Sequence, residues 1–198
     1  MSVMNANPVK YKFYPTLLNT YDSFEKGYVT ETELIDRINR LPSVQTEAQA
    51  KGTSFEDAAI KGINEEVFDS DILARVRALL PRPMVKTQAY CEYQINNVLL
   101  YGYVDVIGKI MAVDIKTTGK YEAGNYADSH QNFYLPALRS KGIRKLRYVI
   151  TDFKDVYSEE YDQTFDFSHQ LSQINSFCQF VEDNRSKITD YRIFGSEK

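Results

Sequence analysis

The sequence predicts an α/β fold in which a central mixed β-sheet is flanked by helices. Three observations lead to this prediction: helical apolar patterns precede residue 81, three consecutive β-rich segments follow, and helix and strand patterns alternate after residue 126. Helices followed by a meander, a helix, a strand and a helix are typical of a sheet covered by helical layers. The 198 residues are expected to form one domain.

The N-terminal part is predicted to be irregular at first and then helical. Residues 1–29 contain many aromatic side chains without a clean period, and we interpret them as ordered but irregular. Residues 30–33 have the form of a capping box before an apolar stripe, which predicts a helix over 31–41. A polar link over 43–51 is expected next. Two further helices are predicted over 53–63 and 70–80.

The middle of the chain changes to strand periodicity. Two-residue turn signals, Asn96-Asn97 and Gly108-Lys109, separate three β-rich segments and predict an antiparallel meander. The predicted strands span 85–95, 98–107 and 110–118, followed by a helix over 126–141, strands over 144–151 and 157–165, and a last helix from Ser168. Residues 1–51 thus form an N-terminal part, 52–150 a core, and 151–198 a C-terminal strand and helix.

Composition narrows the class of protein. Hydrophobic residues make up 43% and charged residues 26%, which allows a full core and argues against disorder. The two cysteines, Cys91 and Cys178, are too few for a disulfide framework, a cysteine-built zinc site or an iron–sulfur cluster. We find no apolar leader and no apolar stretch long enough to cross a membrane, so a cytoplasmic protein is expected. The net charge of -3 restricts any nucleic-acid contact to local patches.

Alternation along the third predicted strand places a carboxylate beside an ammonium group. Asp114 and Lys116 share one face with Ile110 and Ala112, whereas Met111, Val113 and Ile115 belong to the core face. With a turn at Gly108-Lys109, Asp105 pairs with Ala112 and lies roughly 7 Å from Asp114 on the same face. Two carboxylates this close repel each other, and Lys116 offsets only one of them. A bound divalent metal is the simplest partner for the rest.

Glu56 is a third acid that requires a partner. It lies on the apolar stripe of the predicted helix over 53–63, and a buried unpaired carboxylate is costly. A buried salt bridge of Glu56 or Asp114 with Lys116 would explain the pattern without any metal. The residue pattern alone leaves both interpretations open.

Ordered motifs resemble a known family. Gly102-Tyr-Val-Asp105, followed by Asp114-Ile-Lys116, resembles the G-x-x-D…(D/E)-x-K core of the PD-(D/E)XK nuclease superfamily, and especially its RecB-type and phage-exonuclease-like members. Residues 52–56 are similar to the upstream helix motif, whose acid is Glu56. Residues 126–134 are similar to the following helix, which carries a Gln and a Tyr. The resemblance covers roughly 52–150 and implies a restriction-endonuclease-like fold.

Two positions depart from the family pattern. The acid before the lysine is Asp114, where Glu is more common. Gln131 and Tyr134 are three residues apart rather than four, and His130 holds the position four before Tyr134. Which of Gln131 and His130 fills the motif position stays open. Packing beside the sheet is the alternative for the Gln, and Pro136 is expected to kink this helix.

The resemblance implies a magnesium- or manganese-dependent deoxyribonuclease. Glu56, Asp105 and Asp114, with the carbonyl oxygen of Ile115, would hold one or two ions, and no iron–sulfur cluster is implied. Lys116 would orient or deprotonate a water molecule, or stabilise developing negative charge. The expected role is that of an exonuclease in phage or mobile-element recombination or repair. A structure-specific endonuclease, a catalytically silent binding module and a structural domain with plain salt bridges are the alternatives.

A short basic segment is the candidate path for the DNA backbone. Five basic residues occur within nine positions without an acid: Arg139, Lys141, Arg144, Lys145 and Arg147. We predict that Arg144, Lys145 and Arg147, together with Gln131 and Tyr134, bind nucleic acid. An exposed helix end, where cations are also favoured, is the alternative. A homo-oligomer is compatible with the sequence.

Overall fold

The computed structural model describes residues 7–195, which form a six-stranded mixed sheet with helices on both faces. The α/β prediction is therefore confirmed. The elements in chain order are β1 Tyr11–Phe13, α1 Pro15–Glu25, α2 Glu31–Ile38, α3 Glu47–Lys61, α4 Ser70–Leu79, β2 Lys86–Ile95, β3 Val98–Ile107, β4 Met111–Thr117, α5 Tyr134–Leu138, β5 Lys145–Thr151, β6 Val156–Asp162 and α6 Ser168–Asp183. Short 3₁₀ turns are found at Glu65–Val67, His130–Phe133, Arg139–Lys141, Arg185–Lys187 and Tyr191–Ile193.

Strand β3 is the centre of the sheet. Antiparallel β2 pairs with it along one edge, from Lys86 opposite Ile107 to Ile95 opposite Val98. The other edge is shared, because parallel β1 pairs with residues 98–100 and antiparallel β4 pairs with residues 106–107. Residues 101–105 lie between these two partners. Beyond β4, β5 runs parallel to it and β6 runs antiparallel to β5.

Helices pack against both faces of the sheet. Helices α1, α2 and α6 cover β1 and the start of β3, where Phe13, Leu34 and Phe177 belong to one apolar cluster. Helix α5 covers Ala112 and Leu146, whereas α3 and α4 cover the opposite face. The α3–α4 side buries Phe55, Val76, Val113, Ile115 and Val149. None of the described helices is long and apolar enough to cross a membrane.

The two turn predictions have different outcomes. Ile95 pairs with Val98, so the Asn96-Asn97 turn is confirmed, and Asn96 has a φ of 53°. The Gly108-Lys109 turn is wrong, because Ile107 pairs with Ala112 and the Gly108 N–H donates to the carbonyl oxygen of Met111 at 2.8 Å. The resulting loop shifts the register by two residues. When the observed β3–β4 register is extended by one residue, Asp105 lies opposite Asp114 rather than opposite Ala112.

The N-terminal part differs from prediction in an unpredicted strand and helix, in the end of α2 at Ile38 rather than at residue 41, and in the start of α3. Residues 7–29, predicted to be irregular, contain β1 and α1, while residues 1–6 lie outside the described part of the chain. Proline at the first helical position starts α1, and Leu17, Leu18 and Tyr21 form its buried stripe. Helix α3 begins at Glu47, within the predicted polar link, because Thr46 and Gln49 form a reciprocal capping box.

The helix predicted over 126–141 is mostly absent. Only Tyr134–Leu138 is α-helical, and 3₁₀ turns flank it. The Asn132 amide nitrogen donates to the carbonyl oxygens of Tyr126 at 3.0 Å and Ala127 at 2.9 Å, which holds the preceding segment as a loop. Pro136 is the middle residue of the short α5, so there is no long helix for it to kink.

Candidate active site

The candidate site lies where β3 and β4 diverge. The Ile115 N–H donates to Asp105 Oδ2 at 2.7 Å, so a side chain takes the place of a strand partner. Asp105 and Asp114 are only 8% and 3% exposed. The two acids are thus brought together on neighbouring strands, as predicted, although through a different register.

Glu56 joins them from α3 through a residue that the sequence analysis missed. Gln88 Nε2 donates to Glu56 Oε1 at 2.6 Å and to Asp105 Oδ1 at 3.3 Å. Gln88 has a φ of 46°, in the left-handed region that a side chain rarely adopts. The register set by the Asn96-Asn97 turn places Gln88 opposite Asp105. This register could have identified Gln88 from the sequence as a neighbour of Asp105.

Lys116 neutralises one of the three acids. Its ammonium group forms an ion pair with Asp114 Oδ2, an oxygen that accepts no hydrogen bond of normal geometry within the described chain. Burial lowers the pKa of Lys116, but the negative charges of Asp114 and Asp105 outweigh burial and leave this pKa above its usual value. The amine therefore stays protonated in the metal-free protein.

The remaining negative charge is poorly compensated. Burial raises the pKa of Asp105 to about 8, with further contributions from the charges of Asp114 and Glu56. Burial, and then the charge of Asp114, raises the pKa of Glu56 as well. Three carboxyl groups with one ammonium group thus form a site at which an added cation would be favoured.

The donor chemistry suits a hard divalent ion. Carboxylate oxygens come from α3, β3 and β4, and oxygen donors are what Mg²⁺ and Mn²⁺ prefer. Within residues 7–195, however, no three acidic, histidine or cysteine side chains surround one point closely enough to hold a metal. The Gln88 amide and the Lys116 ammonium contact the carboxylate oxygens instead. The residues fit the ion in type, and binding would require the Gln88 amide to turn away.

An open cleft of about 740 Å³ leads to this site. Glu56 and Lys116 lie in its wall, between α3, the end of β4 and the segment Asp152-Phe153. Lys51 contributes positive charge at the rim, with its Nζ 3.7 Å from the centre of the Phe153 ring. The cleft thus opens Glu56 and Lys116 to solvent, while Asp105 and Asp114 lie behind them.

The residues of the predicted helix motif separate into two groups. Tyr134 lies beside the acids, and its hydroxyl donates to the carbonyl oxygen of Tyr103 at 3.1 Å, in the gap between β1 and β4. Gln131 Oε1 accepts from Asn19 Nδ2 at 2.7 Å and Ser129 Oγ at 2.6 Å, so it is used in contacts within the protein. Buried His130 has its Nδ1 3.0 Å from Asn19 Oδ1, and burial lowers its pKa to about 4. Nucleic-acid binding by Gln131 and Tyr134 stays a prediction.

The basic segment lies at the start of β5, where Lys145 and Arg147 pair with Met111 and Val113, at the other end of β4 from Lys116. Lys145 Nζ and Arg147 Nε contact Glu160 on β6 at 3.1 and 2.8 Å, and Arg147 also donates to the carbonyl oxygen of Leu79 at 2.6 Å. Glu160 therefore neutralises part of the positive charge of this basic segment. DNA binding by Arg144, Lys145 and Arg147 stays a prediction.

Gly102, the first residue of the G-x-x-D motif, allows Tyr134 to approach β3. A Cβ at Gly102 would lie 2.9 Å from the Tyr134 hydroxyl oxygen and 3.2 Å from its Cε1. Since Tyr134 is buried, Gly102→Ala should lower the free energy of unfolding by about 1–3 kcal/mol in urea denaturation. Gly119→Ala, where a Cβ meets nothing within 4 Å, is the control and should change it by less than about 0.5 kcal/mol. Equal stabilities of the two variants would contradict this packing role.

Neither a protein-family model nor a curated protein matches this chain. Its fold is similar to that of a protein from Eubacterium rectale assigned as an exonuclease, with a TM-score of 0.57 and 13% identity over 96% of this chain and 88% of that one. The structure of SSO0001 gives a TM-score of 0.42 at 15% identity, covering 86% and 87% of the two chains. Rai1 of Scheffersomyces stipitis gives 0.32 at 12% identity, covering 92% and 62%. The last two scores are too low to indicate a shared fold, and the first indicates the fold alone.

Proposed function

We propose that this protein is a divalent-metal-dependent nuclease of the PD-(D/E)XK type that hydrolyses phosphodiester bonds of DNA. The observation that supports this most directly is the convergence of Glu56, Asp105 and Asp114 with Lys116 beside one open cleft. The order of these residues on helix, strand and strand agrees with the family that the motifs resemble. The shared fold with a protein assigned as an exonuclease supports the same proposal.

The cation would be Mg²⁺ or Mn²⁺. Glu56, Asp105 and Asp114 would hold it through carboxylate oxygens, with the Ile115 carbonyl as a further donor. A bound ion of this kind acidifies water and neutralises charge on a phosphate. Gln88 holds Glu56 and Asp105 together through its amide, and it would have to release both oxygens for them to bind an ion.

Lys116 would stabilise negative charge rather than remove a proton. In the metal-free protein the carboxylates of Asp114 and Asp105 keep the pKa of Lys116 above the usual value, so its ammonium group is a hydrogen-bond donor there. Because the side chain also lies in the wall of the cleft, it can contact a phosphate oxygen while its ion pair with Asp114 fixes its direction.

We further propose an exonuclease that acts in recombination or repair of phage or mobile-element DNA. The test is incubation with end-labelled linear DNA and covalently closed circular DNA, each with Mg²⁺, Mn²⁺ or EDTA. Degradation of linear DNA alone, and only with a divalent ion, is the expected result. Nicking of circles would indicate the endonuclease alternative. Intact DNA under every condition would contradict a nuclease.

A further inference from the structure

Exposed tyrosine side chains lie next to the candidate active site on the β2–β3 hairpin. Tyr90 and Tyr103 face each other across the two strands, with ring centroids 5.5 Å apart in an edge-to-face arrangement. They are 42% and 58% exposed. Tyr90 follows Gln88 by two residues and Tyr103 precedes Asp105 by two, so each ring is about 7 Å along its strand from the acidic centre.

The aromatic surface continues away from the acids. Tyr101 lies two residues further along β3, and its ring centroid is 6.1 Å from that of Tyr14. The Arg40 guanidinium donates to the Tyr101 hydroxyl and stands 5.2 Å from the centre of the Tyr14 ring. We define the tyrosine face as Tyr90, Tyr101 and Tyr103, with Tyr14 and Arg40 at its far end.

This face of the hairpin is open, whereas the opposite face is core. Ala89, Cys91 and Val104 alternate with the tyrosines and are buried in the cluster that includes α5. Large rings left in water on an ordered sheet are typical of binding surfaces.

The charges around the tyrosine face favour a particular occupant. Arg40 lies at its end, where its Nε also pairs with Asp190 Oδ2 at 3.1 Å, and Lys12 on β1, opposite Leu99 of β3, forms no ion pair within the described residues. The Tyr90 hydroxyl donates to the Glu92 carboxylate at 2.8 Å, and this acid on the face would repel a phosphate. A polyanion could therefore place its bases on the rings and its phosphates at the basic margin. Only unpaired bases expose the ring faces that such stacking needs.

We propose that the tyrosine face binds a single strand of nucleic acid by stacking its unpaired bases, and that it leads this strand to the carboxylates. The second part of this proposal, that the strand is led to the carboxylates, rests on the proposed nuclease function. Binding itself needs no divalent ion, so it can be measured separately from cleavage.

The test is fluorescence anisotropy with labelled single-stranded oligonucleotides in EDTA. Tyr103→Ala and Tyr90→Ala should each weaken binding about tenfold, within the range measured for loss of a stacked base. Tyr103→Phe should bind like wild type, because it keeps the ring. Tyr28→Ala removes a tyrosine that is 82% exposed outside the tyrosine face and should change nothing. Oligo-dT and oligo-U probes distinguish DNA from RNA. Photo-crosslinking of an iodouracil probe to Tyr103 would demonstrate contact.

Three results would contradict the binding of a single strand by the tyrosine face. These are wild-type affinity in Tyr103→Ala, no binding of single strands by the wild type, and equal affinity for single strands and blunt duplex. Failure of the nuclease proposal would look different. If binding depends on Tyr103 but no DNA is cleaved, the tyrosine face binds nucleic acid and the nuclease proposal is wrong. If DNA is cleaved and Tyr103→Ala binds like wild type, the nuclease proposal holds and the proposed role of the tyrosine face is wrong.

Discussion

Lys116→Met is expected to reduce cleavage of linear DNA by at least about 10²–10³-fold while the protein still binds Mn²⁺. Removing one preorganised donor to developing negative charge typically costs this much. The substitution keeps the length of the side chain but removes its ammonium group, which contacts Asp114 and not Glu56. The carboxylate donors therefore remain, and the ion should bind. Cleavage rates under saturating Mn²⁺ measure the first effect, and the melting shift on adding Mn²⁺ measures the second.

The matched control is Lys120→Met. Lys120 is exposed, pairs with the exposed Glu122 and follows the same strand, so its loss should leave the rate close to that of wild type. If Lys116→Met also cleaves at the wild-type rate, the assignment of Lys116 is wrong. If it loses the Mn²⁺ shift as well, the lysine positions the acids and does not act on the phosphate.

The sheet was largely predictable because its signals are local. Alternating apolar residues define β2 and β3, and the Asn96-Asn97 turn fixes their register. The β3–β4 connection was not predictable in this way. A Cβ at Gly108 would lie 2.4 Å from Pro81 Cβ, so this glycine allows a close contact with the segment after α4 rather than a two-residue turn. That contact is tertiary and leaves no trace in the local pattern.

The sequence predicted the charged residues of the candidate site but not the hydrogen bonds that connect them. Asp105, Asp114 and Lys116 stand out because strand alternation places charge beside core positions. Gln88 does not stand out, since its role depends on a left-handed backbone and on the approach of α3. Charge on Arg147 is equally visible in the sequence, but its pairing with Glu160 depends on the β5–β6 register. Sequence shows which groups exist, and the fold decides which of them are already paired.

Asp105→Asn is expected to be at least as stable as wild type in the absence of metal, and to lose all stabilisation by Mn²⁺. Burial and the neighbouring acids raise the pKa of Asp105 to about 8, so the folded protein binds this proton more tightly than the unfolded chain does. The stability that the protonated form contributes is fully present below about pH 4 and is lost as pH rises through about 8. Asparagine is neutral throughout and can still accept the Ile115 N–H.

Thermal melts at pH 6 and pH 9, each with EDTA or Mn²⁺, measure both effects. In EDTA the variant should gain most over wild type at pH 9, where the buried carboxylate of wild type is charged. Asp57→Asn alters a partly exposed acid of α3 that pairs with Lys61, and it serves as the control with a change below about 0.5 kcal/mol. This control should keep the full response to Mn²⁺.

The size of the metal response follows from linkage. An ion that binds only the folded state stabilises it by about 2.7 kcal/mol at a hundredfold excess over the dissociation constant, which is a melting shift of a few degrees. Wild type should show this shift and Asp105→Asn should not. If Asp105 were instead half of a structural ion pair, its removal would cost roughly 3–5 kcal/mol with or without metal. The contacts favour the first expectation, because Asp105 accepts from an amide and a backbone N–H while Lys116 pairs with Asp114. A strongly destabilised variant beside a wild type indifferent to Mn²⁺ would mean that these acids are structural and that the nuclease proposal is wrong.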